Sequence, residues 1–284
     1  MSSVGVTVDD AGVAVITIDH PPINLMTIEV FVELAAAVDR LAADDDIRAV
    51  VLRSAVDDWF IAHFDVEAIL QFPVDQPAPT ELNGFHKMCE QLRTMPKPTI
   101  AQIEGRVGGG GSEVALSCDM RYAAPDAVFN QPEVALGILP GGSGTVRLPR
   151  LIGRSRALEV ILGCDDVDAL TAERWGWVNE VLPLEDIDAF VDRLAHRIAS
   201  FPAHAVAAAK ASVLRAEGGI EAQLLAEGAA FNATLAEPST QQAMRRFLEL
   251  GGQTPEGERE LGQLVDQISE NPTERDDSSA PTGS

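Results

Sequence analysis

Two glutamates occupy similar places in the chain, each between a short apolar run and a glycine-rich stretch. Glu113 follows four consecutive glycines at residues 108–111 and precedes an apolar Val-Ala-Leu run. Glu133 follows an apolar run at residues 127–129 and precedes the glycine-rich residues 137–144. A carboxyl group in apolar surroundings has a raised pKa and suits general acid–base chemistry. If both side chains converge on one water molecule, one can activate that water while the other transfers a proton at the adjacent carbon.

The residues alone leave simpler interpretations of this pattern open. Glu113 equally fits an acid that stabilises the N-terminus of a helix, and the two glutamates equally fit a pair of unrelated surface acids. The glycine run fits a tight turn that needs positive φ angles. It also lets a ligand approach the backbone, where the N–H groups of the next helix can bind an anion or a developing oxyanion. The run is neither a P-loop nor a dinucleotide-binding fingerprint, because it lacks the residues and spacing of both.

The elements that must hold these residues alternate between strand and helix along the chain. Alternating apolar residues predict a β-hairpin over residues 6–19, and apolar residues at helical spacing predict an amphipathic helix over residues 27–43. Residues 47–52 and 99–103 are short apolar runs typical of buried strands, and an apolar helix is predicted to begin near Ser112. This order of strands and helices predicts an α/β protein.

The composition and net charge of the chain argue against several classes of binding partner. The chain of 284 residues carries a formal net charge of −23, which argues against nucleic acid or an anionic membrane surface as a partner. Its apolar runs are too short to cross a bilayer and its first residues lack the pattern of a signal peptide, so we expect a cytoplasmic protein that contacts no membrane. The three cysteines and five histidines lack metal-ligand spacing, so we expect reduced thiols and no metal site.

The two glutamates lie in two longer segments, KPTIAQIEGRVGGGGSEVALSCD at residues 97–119 and FNQPEVALGILPG at residues 129–141. These segments resemble the motif of the crotonase superfamily, also called the enoyl-CoA hydratase/isomerase family. The likeness extends over about residues 6–246 and is strongest over residues 97–183. The resemblance implies a crotonase-type α/β fold, in which repeated ββα units form a core and a C-terminal helical region is used for trimerisation.

The resemblance and the composition together divide the chain into three expected segments. Residues 1–195 are expected to form the crotonase core with the active site, and residues 196–268 a C-terminal helical oligomerisation region. The last segment, residues 269–284, is rich in Asn, Pro, Thr, Asp, Ser and Gly, a composition that cannot bury enough apolar surface to fold. We therefore expect a disordered tail there.

The resemblance also implies roles for single residues. Glu113 and Glu133 fall on the two catalytic glutamates of family hydratases, and their separation in the chain matches that pattern. Gly110 matches the glycine that donates one N–H group to the oxyanion hole, and Phe64 matches the residue that donates the other. Gly141 matches a glycine that helps to place the catalytic water. Two fixed N–H donors suit a thioester enolate, whose charge is concentrated on oxygen.

The residues around Phe64 depart from the family pattern. Ala62, His63 and Asp65 are expected to contact the substrate, but family members usually have a small residue or glycine where this chain has His63 and Phe64, so the acyl pocket is expected to change shape. His63 fits a wall residue, a hydrogen-bonding partner of the substrate or a rim residue, and Asp65 also fits a cap of the next helix. Family hydratases often have a lysine just after this segment, which is missing here, so the phosphates of CoA are expected to contact Arg245, Arg246 or another subunit.

The implied reaction is the addition of water to a 2-enoyl-CoA thioester, through an enolate held in the oxyanion hole. Such an enzyme would be a lyase of acyl-CoA and fatty acid metabolism that needs no cofactor, since CoA is part of its substrate. The usual oligomeric state of the family implies a homotrimer or a dimer of trimers. Three alternatives stay open: an enoyl-CoA delta-isomerase that uses Glu133 alone, another thioester reaction of the family, and a non-catalytic acyl-CoA-binding protein.

Overall fold

Two β-sheets form the framework of the protein, a computed structural model that describes residues 2–74 and 76–269. In chain order the strands are β1 (Val4–Val8), β2 (Val13–Ile18), β3 (Ala49–Ser54), β4 (Trp59–Ile61), β5 (Thr99–Ile103), β6 (Arg106–Val107), β7 (Met120–Ala123), β8 (Val128–Phe129), β9 (Val167–Asp168) and β10 (Glu180–Val181). The larger sheet has the order β1-β2-β3-β5-β7-β10, and the smaller sheet has the order β4-β6-β8-β9.

From β3 to β8, consecutive strands alternate between the two sheets, and this alternation is the repeating unit of the fold. The pairs β3 and β4, β5 and β6, and β7 and β8 each place their first strand in the larger sheet and their second in the smaller one. Equivalent strands of successive pairs lie parallel, as in β3–β5 and β5–β7. A parallel sheet is covered on both faces, which explains why every residue of β5 is buried. The α/β class predicted from the sequence is confirmed.

Helices and one short turn follow these strand pairs and then continue to the end of the described chain. The helices are α1 (Ile28–Ala43), α2 (Val66–Ile69), α3 (Gly84–Thr94), α4 (Gly109–Ser117), α5 (Gly144–Ile152), α6 (Arg154–Gly163), α7 (Ala169–Trp175), α8 (Leu184–Ala199), α9 (Ala203–Glu217), α10 (Glu221–Leu235), α11 (Pro238–Glu249), α12 (Pro255–Arg259) and α13 (Leu261–Ser269). A 3₁₀ turn spans Glu133–Leu136.

The elements predicted near the N-terminus are present with small shifts. β1 and β2 form the predicted antiparallel hairpin. The predicted helix is α1, and Thr27 caps it by accepting a hydrogen bond from the Val30 N–H at 3.3 Å. β3 begins at Ala49, two residues later than predicted. α4 begins at Gly109 and not near Ser112, so the glycine run forms the first turn of the helix rather than a loop before it.

The C-terminal helices pack in two different places. α8 covers the larger sheet through Ile187, Val191 and Ala195, and because it ends at Ala199 the expected boundary at residue 195 lies inside it. The helices from α10 to α13 pack beside the 3₁₀ turn and α2, where Leu235, Met244, Phe247, Leu261 and Leu264 join Val66, Ile69, Leu136 and Ile138 in one apolar cluster. The same chain therefore covers its own 3₁₀ turn. Of the tail expected at residues 269–284, only Ser269 is described, as the end of α13, and residues 270–284 lie outside the described residues.

Two absences apply to the described part of the chain. No helix there is long and apolar enough to cross a membrane. Over the same residues, no group of His, Cys, Asp and Glu side chains is arranged to hold a metal ion. The three cysteines are free and buried.

Candidate active site

Glu113 is held by the backbone of a glycine-rich turn. It lies in α4 and is buried, and its Oε1 atom accepts hydrogen bonds of 2.7 Å from the N–H groups of both Gly142 and Gly144. Gly142 belongs to the turn that leads into α5, and Gly144 is the first residue of that helix. A Cβ atom at Gly142 would collide with Glu113 Oε2, so the close approach of this backbone to the carboxyl group requires glycine there. The second glycine-rich stretch of the sequence is thus a binding site for the first glutamate.

Glu133 begins the 3₁₀ turn that follows β8, and it is buried as well. The side-chain amide of Gln131, oriented to satisfy its neighbours, donates to Glu133 Oε1 and Oε2 at 3.3 and 3.1 Å. Its oxygen accepts a 3.0 Å hydrogen bond from Ser112 Oγ, in the residue next to Glu113. Gln131 therefore connects the Glu133 carboxyl group to α4 at the residue before Glu113, and it fixes the orientation of Glu133.

Both glutamates have raised pKa values. Burial raises the pKa of Glu113 well above its usual range, and the nearby charges of Glu133 and Glu227 raise it further, while the two backbone N–H donors act in the opposite direction. Burial also raises the pKa of Glu133 to about 7, although the charge of His63 opposes this rise. Two buried carboxyl groups with raised pKa values can hold one proton between them near neutral pH.

Phe64 lies in a short extended segment whose neighbouring residues are hydrogen-bonded to Met26. It lies between β4 and α2 and forms a parallel bridge with Met26. The Met26 N–H donates to the His63 carbonyl oxygen at 2.9 Å, and the Asp65 N–H donates to the Met26 carbonyl oxygen at 3.0 Å. Among the described residues the Phe64 N–H has no backbone partner. It lies beside Gly110, where an added Cβ atom would lie 3.4 Å from the Phe64 nitrogen.

Gly110 supplies a second N–H group at the same place. It lies in the first turn of α4, where N–H groups have no carbonyl partner four residues earlier in the helix. The next two N–H groups, of Gly111 and Ser112, both donate to the Gly108 carbonyl oxygen. In the described chain no such bond is found for the N–H of Gly110. The first turn of α4 and the Phe64 segment thus place two N–H groups close together, an arrangement that can bind a single oxygen atom.

A cavity of about 350 Å³ brings these groups together. Glu113, Glu133, Phe64, Gly110 and Gly141, which were predicted from the sequence, all line it. The rest of the wall is largely apolar, and α10 contributes part of it from the C-terminal region. A hydrophobic cavity with a few convergent polar groups is typical of a site for a small organic substrate.

Three other predicted residues do not line this cavity. Ala62 and His63 are buried behind it, and the Asp65 side chain caps α2 by accepting a 2.9 Å hydrogen bond from the Glu67 N–H. Of the interpretations left open for Asp65, the helix cap is the one that the hydrogen bond supports. Neither Arg245 nor Arg246 reaches the cavity wall, so the source of the expected phosphate contacts stays a prediction.

Several residues of the site carry no clear signal in the sequence. Gln131 was visible only as a neighbour of Glu133 in the chain. Glu227, on α10, is buried against His86 and Thr145, accepting a 3.0 Å hydrogen bond from the Thr145 N–H, and its charge raises the pKa of both catalytic candidates. A buried glutamate in an Ala- and Leu-rich helix looks like any solvated helix residue until the packing of that helix is known.

A comparison with known proteins assigns this chain to a family. The family model described as enoyl-CoA hydratase/isomerase matches residues 9–255. The chain belongs to the enoyl-CoA hydratase/isomerase family. This membership confirms the resemblance to the crotonase superfamily that was inferred from the sequence motif.

Named relatives cover most of the chain. The protein named short-chain-enoyl-CoA hydratase of Clostridium acetobutylicum is 32% identical over 239 residues, covering 84% of this chain and 91% of the relative. The crotonyl-CoA hydratase of Syntrophomonas wolfei is 33% identical over 238 residues, covering 83% of this chain and 91% of the relative.

Solved structures confirm the crotonase fold. A crystal structure from Streptomyces avermitilis has a TM-score of 0.85 and 37% identity, covering 94% of this chain and 98% of that chain. A crystal structure of an enoyl-CoA hydratase from Mycobacterium avium subsp. paratuberculosis has a TM-score of 0.77 and 25% identity, covering 88% of this chain and 96% of that chain.

Proposed function

We propose that this enzyme adds water to 2-enoyl thioesters of coenzyme A and forms 3-hydroxyacyl-CoA. The observation that carries the proposal is the pair of buried carboxyl groups, Glu113 and Glu133, on the same cavity as two converging N–H donors. Relatives named short-chain-enoyl-CoA hydratase and crotonyl-CoA hydratase support this reaction. An isomerase needs one proton carrier, whereas hydration needs a base for water and an acid for carbon, which is what two carboxyl groups supply.

The N–H groups of Phe64 and Gly110 are proposed to bind the thioester carbonyl oxygen. Negative charge develops on that oxygen as the thioester becomes an enolate, and donors that are already in place stabilise it without reorganisation of water. Loss of one such donor typically costs about 3–4 kcal/mol of transition-state stabilisation. The hydrogen bonds that tie His63 and Asp65 to Met26 support this role, because they fix the peptide that carries the Phe64 N–H.

The two glutamates are proposed to share one proton during the reaction. A water oxygen forms a bond to C3 while its proton passes to the ionised carboxylate, and the electrons of the C2–C3 double bond move into the thioester enolate. The protonated carboxyl group then gives its proton to C2, the carbonyl double bond is restored, and one proton remains on the pair. Water and the two carboxyl groups supply every proton that the reaction needs, so we propose that no cofactor takes part.

Gly141 is proposed to help place the attacking water. It lines the cavity one residue before Gly142, whose N–H binds Glu113, and it packs against the ring of Phe231. A water molecule in this position would lie beside the carboxyl group held by the same turn. The absence of a side chain at Gly141 lets the Phe231 ring approach the backbone of this turn closely.

The assembly and compartment are also proposals. We propose a cytoplasmic homotrimer or dimer of trimers, with residues 196–268 contributing to the contacts between subunits and residues 1–195 to the active-site core. α9 supports this, because no residue of that helix is buried by the rest of the described chain. The net charge of −23 supports the absence of nucleic acid and anionic membranes among the partners.

Turnover of two isomeric substrates tests the proposal. The enzyme is mixed with crotonyl-CoA and, separately, with a 3-enoyl-CoA, and products are separated by chromatography. We expect 3-hydroxybutanoyl-CoA from the first at a rate far above the uncatalysed reaction. Formation of 2-enoyl-CoA from the second without hydration of the first would indicate an isomerase. Calorimetric binding of both thioesters without turnover of either would indicate a binding protein.

A further inference from the structure

The cavity wall is unusually rich in phenylalanine for this chain. Phe31, Phe64, Phe72, Phe85 and Phe231 line it, and they are half of the ten phenylalanines in a sequence in which aromatic residues make up only 5%. All five are only half-buried, although they lie at an otherwise apolar site. Phenylalanine is therefore concentrated where a substrate would contact it. We refer to these five residues as the phenylalanine wall.

Three rings of this wall contact the ring of Phe64. The centroid of Phe64 lies 6.4 Å from that of Phe31, 6.0 Å from that of Phe85 and 6.1 Å from that of Phe72. The planes meet at 57°, 74° and 58°, so the contacts are tilted or edge-to-face. Aromatic rings prefer such arrangements, and a further ring entering the cavity can join them through an edge or a face.

The wall begins at the oxyanion hole itself. The residue that offers one N–H donor, Phe64, also carries a ring of the wall. A Cβ atom added to Gly110, the other donor, would lie 3.6 Å from Phe85 Cζ. A thioester whose carbonyl oxygen is held by these donors has C3 only two bonds from the carbonyl carbon. A substituent on C3 would then lie within reach of the rings of the wall.

The volume of the cavity is large for a short acyl chain. An apolar cavity of about 150 Å³ is enough to bind benzene, and this one measures about 350 Å³. A methyl group on C3 would leave most of the wall without a partner. Glu113 and Glu133 are the only charged residues among the described ones that line the cavity, so a substituent that fills the wall must be uncharged.

We infer that the preferred substrate carries an aromatic ring at or next to C3 of its acyl group, bound against the phenylalanine wall. This inference takes the reaction of the substrate from the proposed hydratase function, but the binding of an aromatic ring to the wall does not depend on that function. Ring–ring contacts add to the burial of apolar area, and a rigid ring loses less conformational freedom on binding than a linear chain with the same number of carbons.

Saturated thioesters test the fit without turnover, because they have no double bond to hydrate. Inhibition constants against crotonyl-CoA are measured for 3-phenylpropanoyl-CoA and for nonanoyl-CoA, which have equal numbers of acyl carbons, and binding constants are measured by calorimetry. We expect the phenyl thioester to bind about 2- to 12-fold more tightly. Equal or tighter binding of the linear thioester would overturn the inference.

A pair of variants assigns the preference to the wall. Phe85→Leu keeps an apolar side chain but removes a ring that contacts both Phe31 and Phe64, so we expect it to abolish the preference. Phe190→Leu is the matched control, because Phe190 packs on Tyr122 away from the cavity, and we expect it to keep the preference. A preference that survives in Phe85→Leu would also overturn the inference.

The outcomes separate this inference from the proposed function. If crotonyl-CoA is hydrated but the linear thioester binds as tightly as the phenyl thioester, only the aromatic preference is wrong. If the phenyl thioester binds more tightly by calorimetry but no enoyl thioester is hydrated, the hydratase proposal is wrong and the binding preference stands.

Discussion

His63 Nε2 lies 2.9 Å from Glu258 Oε1 in the interior of the protein, although the two residues are 195 positions apart in the chain. His63 is 5% exposed and Glu258 is fully buried. The other ring nitrogen, Nδ1, lies 2.8 Å from the carbonyl oxygen of Phe64. A helix from the C-terminal region therefore holds His63, the residue that precedes the proposed oxyanion-hole donor Phe64.

The two residues form an ion pair at neutral pH. Burial lowers the pKa of His63, but the carboxylate of Glu258 outweighs this effect and raises the pKa to about 9. Burial raises the pKa of Glu258, but the charge of His63 and the hydrogen bond from His63 outweigh it and lower the pKa. A second hydrogen bond, of 2.8 Å from the Gln253 N–H, holds the same carboxylate oxygen.

Removal of one partner should destabilise the fold strongly. In Glu258→Ala the His63 side chain stays buried without its partner, and we expect the free energy of unfolding to fall by about 3–5 kcal/mol. Glu256→Ala is the matched control on α12, because Glu256 is exposed, and a change within about 0.5 kcal/mol is expected there. Both values are measured by chemical denaturation. Equal midpoints for the two variants would contradict a structural role of the pair.

The pair should make stability depend on pH in a defined window. His63 has a pKa of about 9 in the folded protein against an ordinary value of 6.5, so its contribution to stability is fully present below pH 6.5 and is lost as pH rises through about 9. Glu258 has a lowered pKa, so its contribution is present above pH 4.5 and is lost as pH falls below that value.

The measurement compares wild type with His63→Gln/Glu258→Gln, in which neutral amides replace both charges. We expect the difference in unfolding free energy to be greatest between about pH 4.5 and 6.5 and to shrink as pH approaches 9. A difference that stays constant from pH 6 to pH 9 would mean that His63 does not gain a proton on folding.

Replacement of either glutamate by its amide should remove catalysis and keep the fold. Glu113→Gln and Glu133→Gln are each expected to lower kcat by about 10²–10⁴-fold, because an amide neither accepts a proton from water nor gives one to carbon. Glu180→Gln, at an exposed position in β10, is the control and should keep full activity. Initial rates with crotonyl-CoA and circular dichroism spectra are the measurements. Wild-type kcat in either amide variant would rule out the two-carboxyl mechanism.

Some residues of the candidate site could be predicted from the sequence, and others could be found only in the structure. Glu113, Glu133, Gly110 and Phe64 could be predicted, because they belong to short motifs whose residues are close in the chain. Glu258 could not, because its role depends on how the C-terminal helices pack, and no local pattern in its helix indicates a buried partner. His63 was visible as a departure, but its direction, away from the cavity, is set by that same long-range contact.

The pH dependence of catalysis should follow the two glutamates. The pair needs one proton, so kcat/KM is expected to fall below about pH 7, where Glu133 becomes protonated, and again at higher pH, where Glu113 loses its proton. The charge of His63 lowers the pKa of Glu133, whereas Glu227 raises it. In His63→Gln/Glu258→Gln the acid limb is therefore expected to move to higher pH. An unchanged acid limb would show that His63 acts on the site only through structure.

Gly142 should tolerate no side chain. A Cβ atom there would collide with Glu113 Oε2 and with the ring of Phe85, so the Glu113 carboxyl group, the ring or the turn itself must shift. We expect Gly142→Ala to lower kcat more than it changes KM and to destabilise the protein by about 1–3 kcal/mol. Gly163→Ala is the control, because its Cβ atom would meet nothing nearer than Asp165 Oδ2 at 3.8 Å. Steady-state kinetics and thermal unfolding separate the two effects, and equal kcat in both variants would mean that the Gly142 backbone does not position Glu113.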